Sequence, residues 1–404
     1  MAELDYIYSD KQIYKAQFTM EAMNRMKMTR NGNWTLAALI LCYAFTILSP
    51  VIYAVNFSNV IYPMLTFFVL YCIFEKKIKL EGPHIAIIFF WLAAVLSTLI
   101  SPLVQPKWNL ITWGVFTIYF ILGANLRFDM KEKRILSTAI ILLSVIVALS
   151  IVSDYVLNFS IRSRYSFVWR GAVRDQNYPA ASMQLGIVLL MLRVIGESKK
   201  RIINTIALAI VLYSVLLTGS RSGIICSTII ALLLLIFYKN EHQIRTHKIF
   251  IKLIMASIFL ITVIYIDKLL PEYVYYRVFQ GAYGDDPRMP LWTTLLTYFP
   301  GRPIIGYGVG ASHYILRNIA HFGFTTHNVF LTMLIDIGII GVAFYVSAYC
   351  LMISKSANRF VMLVAVFAVC FPMLFIDGMN TAQFWNALIF PYALFRKTDE
   401  CHEP

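Results

Sequence analysis

The sequence predicts an all-α protein that crosses a membrane many times. Of its 404 residues, 59% are hydrophobic and only 14% are charged. Apolar runs of about 20 residues, long enough to cross a bilayer as helices, recur along most of the chain. The loops between these runs alternate in their content of basic residues, as expected when successive loops lie on opposite sides of a membrane. These three features exclude an ordinary soluble domain.

Twelve apolar segments are candidates for membrane-spanning helices. They lie at 34–55, 57–74, 83–101, 108–126, 134–157, 179–196, 201–219, 221–238, 248–269, 328–352, 358–376 and 380–396. We therefore predict one integral membrane domain over 34–396, preceded by a segment at 1–33 and followed by a tail at 397–404. The polar character of the first segment leads us to expect no cleavable signal peptide.

The distribution of basic residues predicts which loops face the cytoplasm. Twelve spans place both termini on one side of the membrane. With the termini inside, 24 of the 35 Lys and Arg residues fall in the N-terminal segment, the inner loops and the tail. Because cytoplasmic loops carry an excess of Lys and Arg, we predict that 1–33 and 397–404 are both cytoplasmic.

The basic residues assigned to the outer side differ in kind from the inner ones, because nine of the eleven are arginines. They are Lys107, Arg162, Arg164, Arg170, Arg174, Arg221, Lys268, Arg277, Arg288, Arg302 and Arg317. The planar guanidinium presents a fork of donors that suits phosphate and carboxylate oxygens, so this bias indicates anion recognition. Since these cations lie in membrane-bound loops, the net charge of +14 gives no reason to expect nucleic acid as a partner.

Two outer segments are long enough to hold a site. One is 158–178, and the other, between the ninth and tenth spans, is 270–327. Loops longer than about 15 residues in a compact protein are usually functional or disordered. The second segment is rich in Tyr, Trp, Pro and Gly, so we predict that it is ordered and contains a short helix after Pro290.

A tight turn in the outer set places an arginine at the start of a helix. The turn is Thr218-Gly-Ser-Arg-Ser-Gly223, and Arg221 begins the eighth span. Backbone amides at a helix N-terminus favour an anion, and a cation there works against the helix dipole. This favours an anion-binding role for Arg221 over the alternative, an interfacial arginine that reaches for the membrane surface.

Two arginines of the second outer segment are further candidates for phosphate binding. Arg288 precedes the predicted short helix, and an ion pair with Asp285 or Asp286 is the alternative reading of its position. Taken together with Arg221, phosphate binding is the favoured role for Arg288. Arg302 lies in no recognisable motif and is a supporting candidate.

Arg170 and Arg174 of the first outer segment are supporting candidates. They precede Asp175-Gln-Asn-Tyr-Pro179, which leads into the sixth span with proline at a position suited to a helix start. The two arginines would extend the cationic site toward a sugar or a diphosphate. The alternative is that they lie in a solvated loop.

The start of the tenth span holds a candidate general base. In Thr325-Thr-His-Asn328, a Thr cap would place His327 in the first helical turn. The helix N-terminus there disfavours imidazolium and would keep the ring neutral, as a general base requires. The alternative is an interfacial histidine bonded to backbone. Asn328 is a supporting candidate, and so is Asp336, an acid within a span that orients the site or pairs with a buried polar group.

No pattern in the sequence predicts a metal or a cofactor. Gly306-Tyr-Gly-Val-Gly310 follows no strand and precedes no Lys-Ser/Thr, so it predicts a close backbone turn rather than a nucleotide loop. The six cysteines show no CxxC or Cys/His spacing and none lies in an outer segment, so we expect no disulfide framework. The chain also shows no carboxylate cluster that would hold Mg²⁺.

The motifs taken together resemble those of the bacterial O-antigen ligase and polymerase superfamily. In chain order they are Ser220-Arg-Ser-Gly223, Arg288-x-x-x-Trp292, Gly306-Tyr-Gly-Val-Gly310, His327-Asn-Val-Phe-Leu331 and Asp336-Ile-Gly-Ile-Ile-Gly341. The stretch Asp175-Gln-Asn-Tyr178 is similar to the Asp-Pro-Asn-Tyr of that superfamily, with Gln in place of Pro. The motifs cover about 180–341, and the predicted topology extends the resemblance to the whole chain.

The resemblance implies a glycosyltransferase of the C type in the bacterial plasma membrane, with its catalytic site on the outer, periplasmic face. Such an enzyme moves a glycan from an undecaprenyl diphosphate carrier to an acceptor sugar, without a metal. Arg221 and Arg288 would bind the diphosphate, and His327 would activate the acceptor hydroxyl. The implied partners are the lipid-linked donor, a glycan or lipid A–core acceptor and membrane lipids, with a chain-length regulator as a further candidate.

Three functions remain open at this point. A polymerase takes a second lipid-linked repeat unit as acceptor, whereas an O-antigen ligase takes lipid A–core, and the compact turns favour the polymerase slightly. A transporter or flippase of a lipid-linked glycan is the alternative outside enzymology. Transporters carry ionisable groups near the midplane and repeat symmetry. Here the cations gather on one face and no repeat is visible, which favours the enzyme.

Overall fold

The computed structural model describes the chain in separate ranges of residues. They are 36–41, 44, 79–103, 108–158, 164–166, 168–169, 172–173, 175–196, 200–238, 257, 266–280, 288–323, 325–376 and 382–397. Within these ranges the chain is built almost wholly from helices. The all-α class is therefore confirmed, with one short β-ribbon added to it in the described part.

The helices, in chain order, are α1 (Gly82–Leu99), α2 (Trp108–Asn125), α3 (Met130–Leu157), α4 (Asn177–Ser182), α5 (Gln184–Gly196), α6 (Arg201–Leu217), α7 (Arg221–Phe237), α8 (Ile266–Leu269), α9 (Glu272–Tyr275), α10 (Arg288–Tyr298), α11 (Ala311–Tyr314), α12 (Val329–Ser354), α13 (Arg359–Cys370) and α14 (Ala382–Phe395). Turns of π-helix cover Tyr276–Gln280 and Ile315–Ile319, and turns of 3-10 helix cover Phe299–Gly301 and Phe371–Leu374. Strands β1 (Val168–Trp169) and β2 (Ala172–Val173) pair in antiparallel register.

The apolar helices match the predicted spans to within a few residues. Four stretches are long and apolar enough to cross a membrane, by length and composition: Gly82–Leu99, Met130–Leu157, Asn177–Gly196 and Val329–Ser354. Five described helices are apolar but shorter, namely α2, α6, α7, α13 and α14. The predicted span 57–74 and most of 34–55 and 248–269 lie outside the described residues, so the count of twelve stays a prediction.

Helix α3 begins four residues before the predicted span because a capping box fixes its start. The Asp129 side chain accepts a hydrogen bond from the Glu132 amide at 2.7 Å, and the Glu132 carboxylate accepts one from the Asp129 amide at 2.9 Å. Such a reciprocal pair satisfies two amide donors that would otherwise lack partners at the helix end. The polar first turn of α3 therefore extends beyond the apolar run.

Small residues let the helices approach one another closely. A Cβ added to Gly186 of α5 would lie 2.1 Å from the Ser144 hydroxyl of α3. A Cβ on Gly123 of α2 would lie 2.9 Å from Ile389 of α14. Close contact through small residues is typical of helices packed within a membrane, where packing rather than water exclusion drives association.

The helix α1 runs antiparallel to α12, and this pair defines two ends of the bundle. Gly82, at the start of α1, packs against Leu351 near the end of α12. At the other end, the Ser97 hydroxyl donates to the backbone oxygen of Asp336 at 2.7 Å. We call the first end the Glu81 end and the second the Arg221 end.

Helix α3 begins at the Glu81 end, where Lys133 donates to the backbone oxygen of Arg396. It ends beside the Arg221 turn, because Asp154 accepts from the Ser166 amide and the Tyr165 amide donates to the oxygen of Leu217.

The Glu81 end is held by one carboxylate that three cations share. Glu81 forms ion pairs with Arg396, with Lys355 at 2.7 Å and with Arg127 at 3.3 Å. Arg396 also donates to the backbone oxygen of Ala124 at 3.1 Å. These contacts join α1, α2, α12 and α14 at one point.

The helix α12 is broken at Gly338. This glycine has φ 66° and ψ −172°, a backbone conformation outside the helical region. A Cβ there would lie 2.3 Å from the backbone oxygen of Ile304, so a larger residue would collide with the neighbouring segment. The break opens the helix to a second stretch of backbone at the Arg221 end.

Candidate functional site

The predicted turn before Arg221 is present, and its side chains fix the start of α7. Gly219 has a positive φ of 60°, which glycine adopts without strain. Ser220 is the N-cap, and its hydroxyl accepts a hydrogen bond from the Gly223 amide at 3.4 Å. Arg221 follows as the first helical residue, with an exposed side chain. The guanidinium is thus carried at the helix end on a turn of fixed shape.

Two residues distant from this turn in sequence hold it in place. The side-chain oxygen of Asn177, the first residue of α4, accepts hydrogen bonds from Ser220 Oγ at 2.9 Å and from Arg164 Nη2 at 3.0 Å. Arg164 Nε also donates to the backbone oxygen of Thr218 at 3.1 Å. The first outer segment is therefore joined to the Arg221 turn by neutral acceptors.

Arg288 lies on a helix that contacts the residue before the candidate base. It is the first residue of α10, which begins three residues earlier than the short helix that the sequence predicts after Pro290. Trp292, one turn along the same face, donates its indole N–H to the backbone oxygen of Thr326 at 2.9 Å. Arg288 and His327 are thus joined by one hydrogen bond between their elements.

His327 lies outside the helix, and the prediction that a Thr caps α12 is wrong. The cap is Asn328, whose side-chain oxygen accepts from the Leu331 amide at 3.0 Å. Asparagine is a stronger N-cap than threonine, and the helix starts at Val329, two residues later than a cap at Thr326 would give. His327 precedes the cap with a φ of 48° and is half-buried. A positive φ is uncommon for a residue with a side chain and marks a position worth attention.

An apolar cluster gives the second outer segment its own core. Its buried members are Leu291, Leu295, Ile315, Leu316, Leu331 and Ile335, drawn from α10, the π-helical turn and α12. Trp292 packs against this cluster as well as donating to Thr326. Burial of these side chains attaches the Arg288 helix to the start of α12, and so sets the distance between the two motifs.

The glycine-rich stretch is a close backbone turn, as the sequence predicts, and it lies against the break in α12. The Tyr307 amide donates to the oxygen of Ile335 at 2.9 Å, and the Gly308 amide donates to the oxygen of Asp336 at 2.8 Å. Gly306 is required because a Cβ there would lie 2.5 Å from the Asp336 backbone. These bonds occupy helix carbonyls that the break leaves without partners.

The buried carboxylate of Asp336 binds two backbone amides of the same stretch. Oδ2 accepts from the Gly310 amide at 2.7 Å, and Oδ1 accepts from the Ser312 amide at 2.8 Å. A buried charge needs such partners, because an unpaired one is costly. These contacts point to a supporting role for Asp336, in which it holds the glycine-rich stretch against α12.

The end of α1 supports the glycine-rich stretch from the other side. Thr98 Oγ1 accepts from the Val309 amide at 3.1 Å, and Ser101 Oγ donates to the oxygen of Tyr307. Arg302 donates from Nη1 to the oxygen of Ile100 at 2.7 Å, where it satisfies a carbonyl at the end of α1. This contact favours a structural role for Arg302.

One 3-10 turn packs against three of the helices that carry candidate residues. Phe371–Leu374 packs against α4, against α7 and against α12. It therefore lies among the helices that begin with Asn177, with Arg221 and just after His327. The predicted candidates Arg170 and Arg174 lie outside the described residues, so their places stay predictions.

Three polar residues at this end were not predicted from the sequence as candidate site residues. Arg164 and Asn177 hold the Arg221 turn, and buried Asp154 accepts from the Ser166 amide at 3.1 Å. The similarity of Asp175-Gln-Asn-Tyr178 to Asp-Pro-Asn-Tyr was the one signal for Asn177. Arg164 was one of eleven outer cations and had no motif of its own.

The described residues contain no group of three or more His, Cys, Asp or Glu side chains placed to hold a metal ion. The candidate residues Arg221, Arg288 and His327 offer two guanidiniums and an imidazole. Such groups stabilise phosphate charge and accept a proton.

Comparison with known families gives a match to part of the chain. A model described as O-antigen ligase matches residues 206–346, roughly a third of the chain, and this stretch contains Arg221, Arg288, Arg302, His327 and Asp336. A search of curated proteins finds no match. The family indicates a glycosyl-transferring enzyme of surface polysaccharide synthesis, in a multi-pass membrane protein. The match confirms the resemblance to the O-antigen ligase and polymerase superfamily over residues 206–346.

Proposed function

We propose that this protein moves a glycan from an undecaprenyl diphosphate carrier to the hydroxyl of an acceptor sugar at the outer face of the bacterial plasma membrane. Arg221 and Arg288 bind the diphosphate, and His327 accepts the proton of the attacking hydroxyl. The enzyme needs no metal for this reaction. The product is a longer surface polysaccharide, and the leaving group is undecaprenyl diphosphate.

The observation that carries the proposal is the hydrogen bond from Trp292 to the oxygen of Thr326. It joins the helix that begins with Arg288 to the residue before His327. The family match extends over both motifs and over Arg221. A phosphate-binding cation next to a candidate base is the arrangement that displacement of a diphosphate requires.

The arginines stabilise the negative charge that develops on the leaving group. As the bond between the sugar and the diphosphate breaks, negative charge builds up on the phosphate oxygens. Guanidiniums that are already in place stabilise this charge without having to reorganise. The exposed side chain of Arg221, on its capped turn, suits a substrate that arrives in the membrane.

The histidine accepts the proton that the acceptor hydroxyl must lose. A neutral imidazole within hydrogen-bond reach of the hydroxyl accepts the proton as the oxygen attacks the anomeric carbon. Direct displacement would invert the configuration at that carbon. Asn328 fixes the helix start beside the histidine, and Thr326 fixes the residue before it, so His327 is held from both sides.

The acceptor distinguishes two versions of the reaction. A polymerase takes a second lipid-linked repeat unit, and we favour it slightly on the compact turns of the sequence. An O-antigen ligase takes lipid A–core, and the description of the matching family favours this version. The same donor site serves both.

A transporter of the lipid-linked glycan is the alternative, and the broken helix α12 is the feature that suggests it. Transporters bind substrates with the free backbone groups of broken helices. Here the amides of Ile339 and Ile340 donate to the oxygens of Pro303 and Ile304 at 2.9 and 3.1 Å. The break is thus filled by the protein's own backbone, which favours the enzyme.

The test is a transfer assay with the purified full-length protein. The substrates are an undecaprenyl-diphosphate-linked oligosaccharide and either a second copy of it or lipid A–core. We expect release of undecaprenyl diphosphate together with a lengthened acceptor. Loss of one preorganised donor to the transition state typically costs about 10²–10³ in rate, and we expect at least this loss in R221A, R288A and H327A.

Matched controls come from the same outer segment. Arg317 and His321 are exposed, and His321 shares a positive φ with His327. R317A and H321A should keep activity within about threefold of the wild-type protein. Wild-type rates in folded R221A and folded H327A would contradict the proposed site. Movement of the glycan across the membrane without transfer would favour the transporter.

A further inference from the structure

The side-chain amide of Asn177 is fixed in orientation beside the Arg221 turn. Its oxygen accepts from two donors, Arg164 Nη2 at 3.0 Å and Ser220 Oγ at 2.9 Å. Because Arg164 can only donate, the atom that it contacts must be the amide oxygen, and the two possible orientations of the amide are therefore distinguished. The nitrogen of Asn177 is directed away from both partners.

That nitrogen carries two hydrogens for which the described part of the chain provides no acceptor. The residue is half-buried, so the amide nitrogen retains access to a bound molecule. Ser220, which Asn177 contacts, is the cap of α7, and Arg221 is the next residue. A donor in this place lies next to the turn that presents the guanidinium.

We propose that Asn177 is a substrate-binding residue whose Nδ2 donates to an oxygen of the donor diphosphate next to Arg221. The inference rests on the proposed function and adds a neutral donor to its two arginines. Arg164 is the positioning residue, because it holds the Asn177 oxygen and so aims the nitrogen.

A purely structural role for Asn177 makes the opposite prediction for one substitution. In N177D, a carboxylate oxygen still accepts from Arg164 and Ser220, and its charge would strengthen the contact with Arg164. The variant should fold at least as well as the wild-type protein. It replaces the amide nitrogen with a negatively charged oxygen, which cannot donate and which repels phosphate.

The experiment measures equilibrium binding of undecaprenyl diphosphate to the full-length protein in lipid nanodiscs, without an acceptor. A hydrogen bond to a charged group contributes enough that we expect about tenfold weaker binding in N177S and about 30-fold weaker binding in N177D. Apparent melting temperature is measured on the same samples. R164K, which keeps one donor on Asn177, should lose less affinity than R164A.

The outcomes separate this inference from the proposed function. Wild-type affinity in folded N177D and N177S overturns the binding role of Asn177. Weaker binding in R221A alongside it would leave the diphosphate site standing. Wild-type affinity in R221A would instead overturn the proposed diphosphate site. Should N177D fold poorly, N177S gives the same reading without a new charge.

Discussion

The two ends of the helix bundle are held by different kinds of contact. At the Glu81 end, Arg396, Lys355 and Arg127 converge on one carboxylate of the protein itself. At the Arg221 end, Arg164 and Arg302 donate to an amide and to backbone oxygens, which are neutral. In the first arrangement one negative charge offsets one of three positive charges, whereas the second set of contacts adds no negative charge.

The difference agrees with the function that we propose for the Arg221 end. The carboxylate of Glu81 stabilises a junction of helices by holding three cations at one point. Guanidiniums held by neutral acceptors keep a local positive potential while losing conformational freedom, which is the preorganisation that phosphate binding needs. If the proposed site is correct, substitutions at the two ends should have separable effects on stability and on transfer.

The largest effect on folding should come from the break in α12. G338A would place a Cβ 2.3 Å from the Ile304 oxygen at a positive φ, so the backbone must move. We expect a loss of about 3 kcal/mol or more in stability. The measurement is thermal unfolding in detergent, with G323A as the control, because a Cβ on Gly323 meets nothing within 4 Å. Equal stability of the two variants would contradict a rigid Arg221 end.

A smaller effect should follow from removing the shared carboxylate at the other end. E81Q keeps the shape of the side chain but leaves Arg396, which is only 10% exposed at its side chain, without its charge partner. We expect a loss of about 2 kcal/mol in stability, with the transfer rate of the folded protein unchanged. Lost activity in folded E81Q would show that the two ends are not separable.

The pH dependence of this effect checks its electrostatic origin. Burial alone would raise the pKa of Glu81, but the hydrogen bond from Lys355 and the charge of Arg396 lower it below its ordinary value of 4.5. The folded state therefore binds this proton less tightly than the unfolded chain. The difference between wild type and E81Q should be full above about pH 4.5 and shrink below it.

The smallest effect should come from the contact that joins Arg288 to His327. W292F keeps an aromatic ring but loses the hydrogen bond to Thr326. We expect a loss of about 1 kcal/mol in stability and a several-fold fall in kcat, because His327 is held less firmly. The control is W91F, since the Trp91 indole nitrogen is buried and has no hydrogen-bond partner among the described residues. A fall in kcat in both variants would show that ring size, rather than the bond, is responsible.

The sequence predicts most of the helices because apolar length is a local property. The predicted spans 83–101 and 328–352 correspond to α1 and α12, with starts within one residue of those predicted. The break at Gly338 could not be predicted, since Ile-Gly-Ile-Ile-Gly is as apolar as the rest of the span. What breaks the helix is the backbone of residues 303–308, which the sequence does not place nearby.

The candidate site shows the same division. Arg221, Arg288 and His327 stood out because charge and helix ends can be read along the chain. The cap of α12 was predicted wrongly because Thr326 and Asn328, on either side of His327, are both residue types that cap helices. Contacts such as Trp292 with Thr326 join residues 34 positions apart, and no periodicity encodes them.

The contacts of Ser97 can form only late in synthesis of the chain. Its hydroxyl accepts from the Gly308 amide and donates to the Asp336 oxygen, which lie 211 and 239 residues later. A ribosome that has released both arginine motifs has still not supplied Asp336 or the helix that anchors the glycine-rich stretch. The nascent protein therefore carries Arg221 and Arg288 before it has the contacts that order this end, and the proposed site is completed only when α12 has been made.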